Sequence, residues 1–142
     1  LQGFVAALSA FRQNHIAVRQ TRFLHGVTRK SDQHPDVSWT DFNGEALEWR
    51  DPGLANLCLT LRCSAEAPDY EVDDDVVFIV FNRQDEDGSV SLPQAPAGKI
   101  WVRGIDTNQP EQPASRQPEG GTAIVTATTV TAFVLTTLET ST

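Results

Sequence analysis

The sequence predicts an all-β fold, an antiparallel β-sandwich of about seven or eight strands preceded by one N-terminal α-helix. Three observations predict it. Short alternating or β-branched segments follow one another from Val37 to Leu135, with turn signals between them. The run Val76-Val77-Phe78-Ile79-Val80-Phe81 is apolar throughout, the pattern of a central strand covered on both faces. No second helical period follows the first fifteen residues. With 142 residues, 39% of them hydrophobic and 21% charged, the chain has the composition of one folded domain with a core of its own.

The elements follow in order. Leu1, Phe4, Val5, Leu8 and Phe11 recur at three- and four-residue steps, so residues 1–11 form a helix with one apolar stripe. Asn14 and His15 are its end signals, and Ile16 and Val18 continue in a more extended pattern. From there to Pro35 the chain is polar and irregular, with one short strand expected near Phe23. Val37 to Thr40 is the next strand, Asn43-Gly44 a tight turn, and Asp51-Pro52-Gly53 another. Leu57, Leu59 and Leu61 alternate with Cys58, Thr60 and Arg62, the period of a strand with one face buried. After the central run, Asp85-Glu86-Asp87-Gly88 predicts a hairpin turn leading to Val90 and Leu92. Lys99 to Arg103 is a short strand. Residues 106–121, with three prolines and a glycine pair, form a long surface loop. The threonine-rich segments Thr122–Val125 and Val130–Leu135 close the fold.

Charge and composition narrow the function classes. The net charge is −8, yet residues 1–30 hold Arg12, Arg19, Arg22, Arg29 and Lys30 with no acid. These basic residues are spaced among apolar ones, so the reading is a helix whose basic face meets water or another domain, without a nucleic-acid or membrane partner. No apolar run approaches the ~20 residues of a membrane span. With no methionine anywhere, Leu1 is expected to be an interior residue of a longer polypeptide. Cys58 and Cys63 lie five apart on one expected strand and point to opposite faces, which disfavours a disulfide between them. Two free thiols fit a reducing cytoplasm.

Constellations that carry chemistry are sparse. Asp69, Glu71, Asp73, Asp74 and Asp75 precede the central strand with only Tyr70 beside them. They read as a solvated loop rather than as a catalytic pair, and they lack the ladder of a calcium loop. His15, His25 and His34 are too far apart in sequence for a zinc site. No metal or cofactor site and no catalytic group is expected, since phosphate loops, nucleophile elbows and Cys-x-x-Cys are missing from the sequence.

Several segments together resemble a known family. Leu8-Ser9-Ala10-Phe11-Arg12-Gln13-Asn14-His15 is similar to the last barrel helix of bacterial glycogen debranching enzymes and isoamylases, hydrolases of the α-amylase superfamily (glycoside hydrolase family 13). Ile16 stands where those proteins carry proline. Arg22-Phe23-Leu24-His25-Gly26 resembles the segment that follows. Val37-Ser38-Trp39, Asn43-Gly44 and Trp49-Arg50-Asp51-Pro52 resemble a passage with two tryptophans around a glycine turn. Asp74 to Asn82 resembles the strand ending in asparagine, with Arg83 departing from the pattern at the turn. The resemblance covers about the first 105 residues.

It implies a division into the terminal helix of a (β/α)₈ catalytic barrel over 1–20, a linker over 21–35 and a C-terminal β-sandwich over 36–142. The family's catalytic carboxylates lie on upstream barrel strands, so no catalytic residue is carried over onto this chain. The parent would hydrolyse α-1,6-glucosidic branch linkages by double displacement, in the cytoplasm and without a cofactor. The domain's partner would be the barrel of the same polypeptide. In the chain alone, the Leu1–Phe11 stripe is expected to fold back on the sandwich or pair with a second copy. An alternative role is an independent carbohydrate-binding module, since flat indoles stack on sugar rings. The residues for it would be Trp101, Trp39 and Trp49, each of which could instead fill a core. Trp101, facing opposite to Ile100 and Val102, is expected to be the most exposed.

Overall fold

The apolar run 76–81 becomes the middle of a sheet, and the other elements are arranged around it. The computed structural model describes residues 2–18, 35–52, 54–62, 76–95, 98–107 and 121–137. Helix α1 (Gln2–Asn14) is followed by a single 3₁₀ turn (Ile16–Val18). The strands are β1 (Val37–Thr40), β2 (Asn56–Leu61), β3 (Val77–Asn82), β4 (Gly88–Ser91), β5 (Lys99–Asp106), β6 (Thr122–Val125) and β7 (Thr129–Thr137). Five of them form an antiparallel sheet in the order β1-β2-β3-β7-β5, and β4 pairs with β6 in a second, two-stranded sheet. The all-β, sandwich-like fold with one leading helix is thus as the sequence predicts. The expected strand near Phe23, His25, His34, Cys63, the acidic stretch 69–75 and most of the loop 106–121 lie outside the described residues.

Register assigns each side chain to a face, because directly opposed residues in an antiparallel ladder point the same way. On the inner face, Cys58, Phe78, Val80, Trp101 and Phe133 pack against Val90, Ala123 and Val125 of the small sheet. On the outer face, Val77, Val102, Ala132 and Val134 form a second cluster with Ala17. Phe11, Val18, Leu61, Ile79, Ile100 and Ile105 pack around it. The central strand is therefore covered on both sides, as its composition requires.

The leucines of β2 are not its fully buried side. Cys58 and Thr60 are buried and Leu57, Leu59 and Leu61 half-buried. The inner face lies under another sheet, whereas the outer face lies under a helix and a turn that reach only part of it. Phe11 is seated against Gly104 on β5, where a Cβ atom would stand 2.6 Å from the phenyl ring. A residue without a side chain lets the helix approach the sheet there.

Residues 85–88 do not make the expected hairpin. They carry the chain from β3 in the large sheet to β4 in the small one. The buried side chain of Asn82 holds this crossover in place. Its Nδ2 donates to Glu86 O at 3.2 Å and to Thr126 O at 3.0 Å, and its Oδ1 accepts from Gln84 N at 3.1 Å. One amide thus ties the crossover from β3 to β4 to the crossover from β6 to β7. Asp87 Oδ1 accepting Ala127 N, and Gln84 O accepting Thr128 N, complete the seam. Thr128 takes a left-handed φ of 54° there, an outlier for a β-branched residue, and its Oγ1 also donates to Gln84 O.

Among the described residues, three buried side-chain oxygens lack a hydrogen-bond partner: Asn56 Oδ1, Thr126 Oγ1 and Thr131 Oγ1. Thr131 is fully buried and its Oγ1 makes no hydrogen bond. An unmade buried hydrogen bond costs about 1–3 kcal/mol. Thr131→Val, of nearly the same shape, is expected to raise the unfolding free energy by about 1 kcal/mol. A urea denaturation midpoint at or below that of the parent chain would contradict this account.

Candidate functional site

The three tryptophans separate into one core residue and one exposed pair. Trp101 is 3% exposed, which overturns the expectation that it is the most accessible. It pairs with Leu135 on the inner face, while Ile100 and Val102 point outward toward the cluster around Ala17. The alternation was legible, but both faces of β5 are apolar, so alternation alone could not say which was covered by the second sheet. The indole Nε1 donates to Pro93 O at 2.8 Å, and the ring lies 5.9 Å from that of Phe78.

Trp39 and Trp49 are 41% and 60% exposed. Their ring centroids are 5.5 Å apart and their planes stand at 76°, an edge-to-face pair. Trp39 lies on β1, an edge strand, opposite Leu59. Trp49 comes from the loop joining β1 to β2, which is built from short-range hydrogen bonds. Asp41 Oδ1 accepts from Asn43 N at 2.8 Å and from Glu45 N at 2.9 Å. Gly44 N donates to Asp41 O with Gly44 at φ +84°, the left-handed geometry that an Asn-Gly turn demands. Thr40 and Ala46 then form an isolated bridge, and Leu47 is buried. Asp51 N donates to Glu48 O and Leu54 N to Asp51 O, so Trp49 is held inside a turn.

A second surface is the outer face of the large sheet with α1. Phe11 is docked at β5, while Val5 and Leu8 on the same helix are exposed. Leu57, Leu59, Ile79, Phe81 and Val130 remain only half-buried. At the end of this face a shallow cleft of about 260 Å³ is lined by Phe81, Asn82, Arg83, Thr107, Thr128, Thr129 and Val130. Its one ionisable lining residue is Arg83.

Several titratable groups among the described residues serve structure. Arg103 lies over the Phe133 ring at 5.2 Å, donates to Ile124 O and faces Asp106 at 3.7 Å, fixing the two sheets to each other. Cys58 is buried as a free thiol. Burial first, then the Asp41 carboxylate, push the thiol up to about 12, with a hydrogen bond to Thr40 opposing them. A thiol so raised is a poor nucleophile. Among the described residues no three His, Cys, Asp or Glu side chains converge on a point where a metal ion could be held. No described helix is long and apolar enough to cross a membrane.

No family model matches the chain, and no curated protein matches it.

Two outcomes follow from the geometry. Trp101→Ala is expected to cost about 3–5 kcal/mol of stability, as for a large buried aromatic. Trp49→Ala is expected to cost no more than about 1.5 kcal/mol, the worth of an exposed aromatic pair. Equal losses in thermal or urea denaturation would refute the division.

The Cys58 shift has a definite sign. The folded state favours the neutral thiol, whose ordinary value is 9.0. This contribution to stability is whole below pH 9.0 and is lost progressively as pH rises toward about 12. Cys58→Ala should flatten the fall in stability across that window, although it lowers stability near neutrality by leaving a small cavity. An unchanged slope would show that other groups cause the fall.

Proposed function

We propose that this chain is the non-catalytic C-terminal β-sandwich of a glycogen-debranching glycoside hydrolase, with the barrel's last helix attached. Its task is to cover one flank of the catalytic barrel and keep the two units in fixed relation. The observation that carries this reading is the divided apolar stripe of α1. Phe11 packs half-buried on β5 of the sandwich, and Leu8 and Val5, about one and two turns earlier, are left largely in solvent. A helix that belonged to the sandwich alone would turn its whole stripe inward. A helix shared between two units has one end on each.

The resemblance of residues 8–15, 37–52 and 74–82 to debranching enzymes supplies the identity of the second unit. The half-buried leucines of β2 continue the same surface beyond the helix. The parent reaction would be hydrolysis of α-1,6 branch linkages in glycogen or related glucans, by carboxylates upstream of this chain. In the isolated chain the open stripe would pair with a second copy.

The test uses the chain joined to the polypeptide that precedes it in its reading frame. Val5→Asp with Leu8→Asp is expected to lower the melting temperature of the joined protein by several degrees and to reduce release of linear maltooligosaccharides from branched glucan. In the isolated chain, diluted until it is monomeric, the same pair should leave the melting temperature within about 2 °C, because both residues are then in water. A joined protein indifferent to the double substitution, or without debranching activity before it, would sink the proposal.

A further inference from the structure

The exposed tryptophan pair lies beyond the helix-covered part of the outer face, which Trp39 shares with Leu59. It stands at β1, the opposite edge of the five-stranded sheet from β5, where α1 is seated. Four strand spacings separate the two edges, about 19 Å. We infer that Trp39 and Trp49 form a binding platform for an α-linked glucan chain.

Four observations lead there. First, two large indoles, 41% and 60% exposed, are kept side by side at a cost in hydration that a purely structural loop would avoid. Second, the loop is fixed before any ligand arrives. The Asp41 side-chain bonds, the Thr40–Ala46 bridge, the buried Leu47 and the turn at residues 48–51 set Trp49 against Trp39. A preorganised platform loses little entropy on binding.

Third, the surrounding charge selects a neutral ligand. Between residues 41 and 51 the chain carries Asp41, Glu45, Glu48 and Asp51 against one cation, Arg50. Nucleobases also stack on tryptophan, but their phosphates would meet this acidic rim. A sugar offers an apolar C–H face to the ring and hydroxyls at its border. The exposed side chains of Asn43, Glu45, Glu48 and Arg50 supply donors and acceptors beside the indoles.

Fourth, the angle between the rings selects the linkage. Planes at 76° cannot both lie flat on an extended, ribbon-like chain such as a β-1,4-glucan. An α-1,4-linked chain curls, so successive rings turn relative to one another and can meet two tilted indoles. The inference stands on ring geometry and local charge and does not require the docking role, so either can fail without the other.

The experiment titrates the full chain with maltoheptaose and, in parallel, cellohexaose, following tryptophan fluorescence and binding heat. Saturable binding of maltoheptaose with a Kd of about 1 mM or tighter is expected. Trp39→Ala and Trp49→Ala should each weaken it about tenfold or more, while circular dichroism and the melting temperature show an intact sandwich. Trp49→Phe should retain part of the affinity and guards against a folding defect in the alanine variant. Absence of saturation at about ten times that concentration, or single substitutions without effect, would overturn the site. Equal affinity for cellohexaose would overturn the assignment of an α-linked ligand.

Discussion

Strand β3 and its flank carry no polar side chain from Val76 to Phe81, so water has to be kept from both faces of the sheet at its centre. The inner face is served by β4 and β6, which bring Val90, Ala123 and Val125 onto Phe78, Val80 and Phe133. Among the described residues no sheet lies opposite the outer face. It takes what the chain offers in α1 and the 3₁₀ turn, with Phe11, Ala17 and Val18 gathered over Val77, Ala132 and Val134. Burial of apolar area at roughly 25 cal/mol per Å² drives both arrangements. The asymmetry between a whole sheet and a single helix leaves the outer face incompletely covered.

Two crossovers between sheets must be held for the small sheet to stay in place, and the polar side of the fold is organised around that need. Asn82 occupies the inner-face position next after Val80, where another valine would continue the core. Its amide instead serves backbone groups of both crossovers. A buried side chain with both its donors and its acceptor engaged can specify one arrangement of chain crossings, where apolar packing alone would accept several. Thr128 in its left-handed conformation shows the cost of this economy. The tight passage from β6 to β7 needs that geometry, and the bonds from Thr128 to Gln84 O offset part of the strain.

What could be read from the sequence depended on whether local pattern and tertiary cover agreed. The helix, the central strand, the Asn43-Gly44 turn and the closing strands were legible because periodicity and turn chemistry fix them locally. The sides of β2 and β5 were not. Leu57, Leu59 and Leu61 make the more apolar face, yet Cys58 and Thr60 lie under the second sheet. Trp101 lies inward for the same reason: each face of β5 is apolar, and only the position of β4 and β6 decides between them. The switch of sheets after Asn82 was also hidden. An acidic stretch ending in glycine signals a turn, but not which strand the chain pairs with next. The Trp39–Trp49 contact joins residues ten apart through a loop whose course depends on the Asp41 carboxylate, so only three-dimensional geometry could separate these two from Trp101.

Two exposed features among the described residues, the helix stripe and the tryptophan pair, lie toward opposite edges of one sheet, and this placement bears on how they could work together. A helix shared with a catalytic barrel at β5 would set the orientation of the whole sheet relative to the barrel. The tryptophan pair at β1 would then sit at a set distance from it, because the strands between them are paired in one sheet, with a single register shift between Arg103 and Ile105. A glucan chain held at such a distance gains effective concentration near the barrel without any new contact to the reacting linkage. Flexible attachment would lose that gain, since the relation between the sites would average out. If both roles hold, the apolar outer face and the aromatic edge would be coupled through the paired strands β2, β3 and β7, and the small inner sheet would matter to both because Val90, Ala123 and Val125 pack on the core of that sheet.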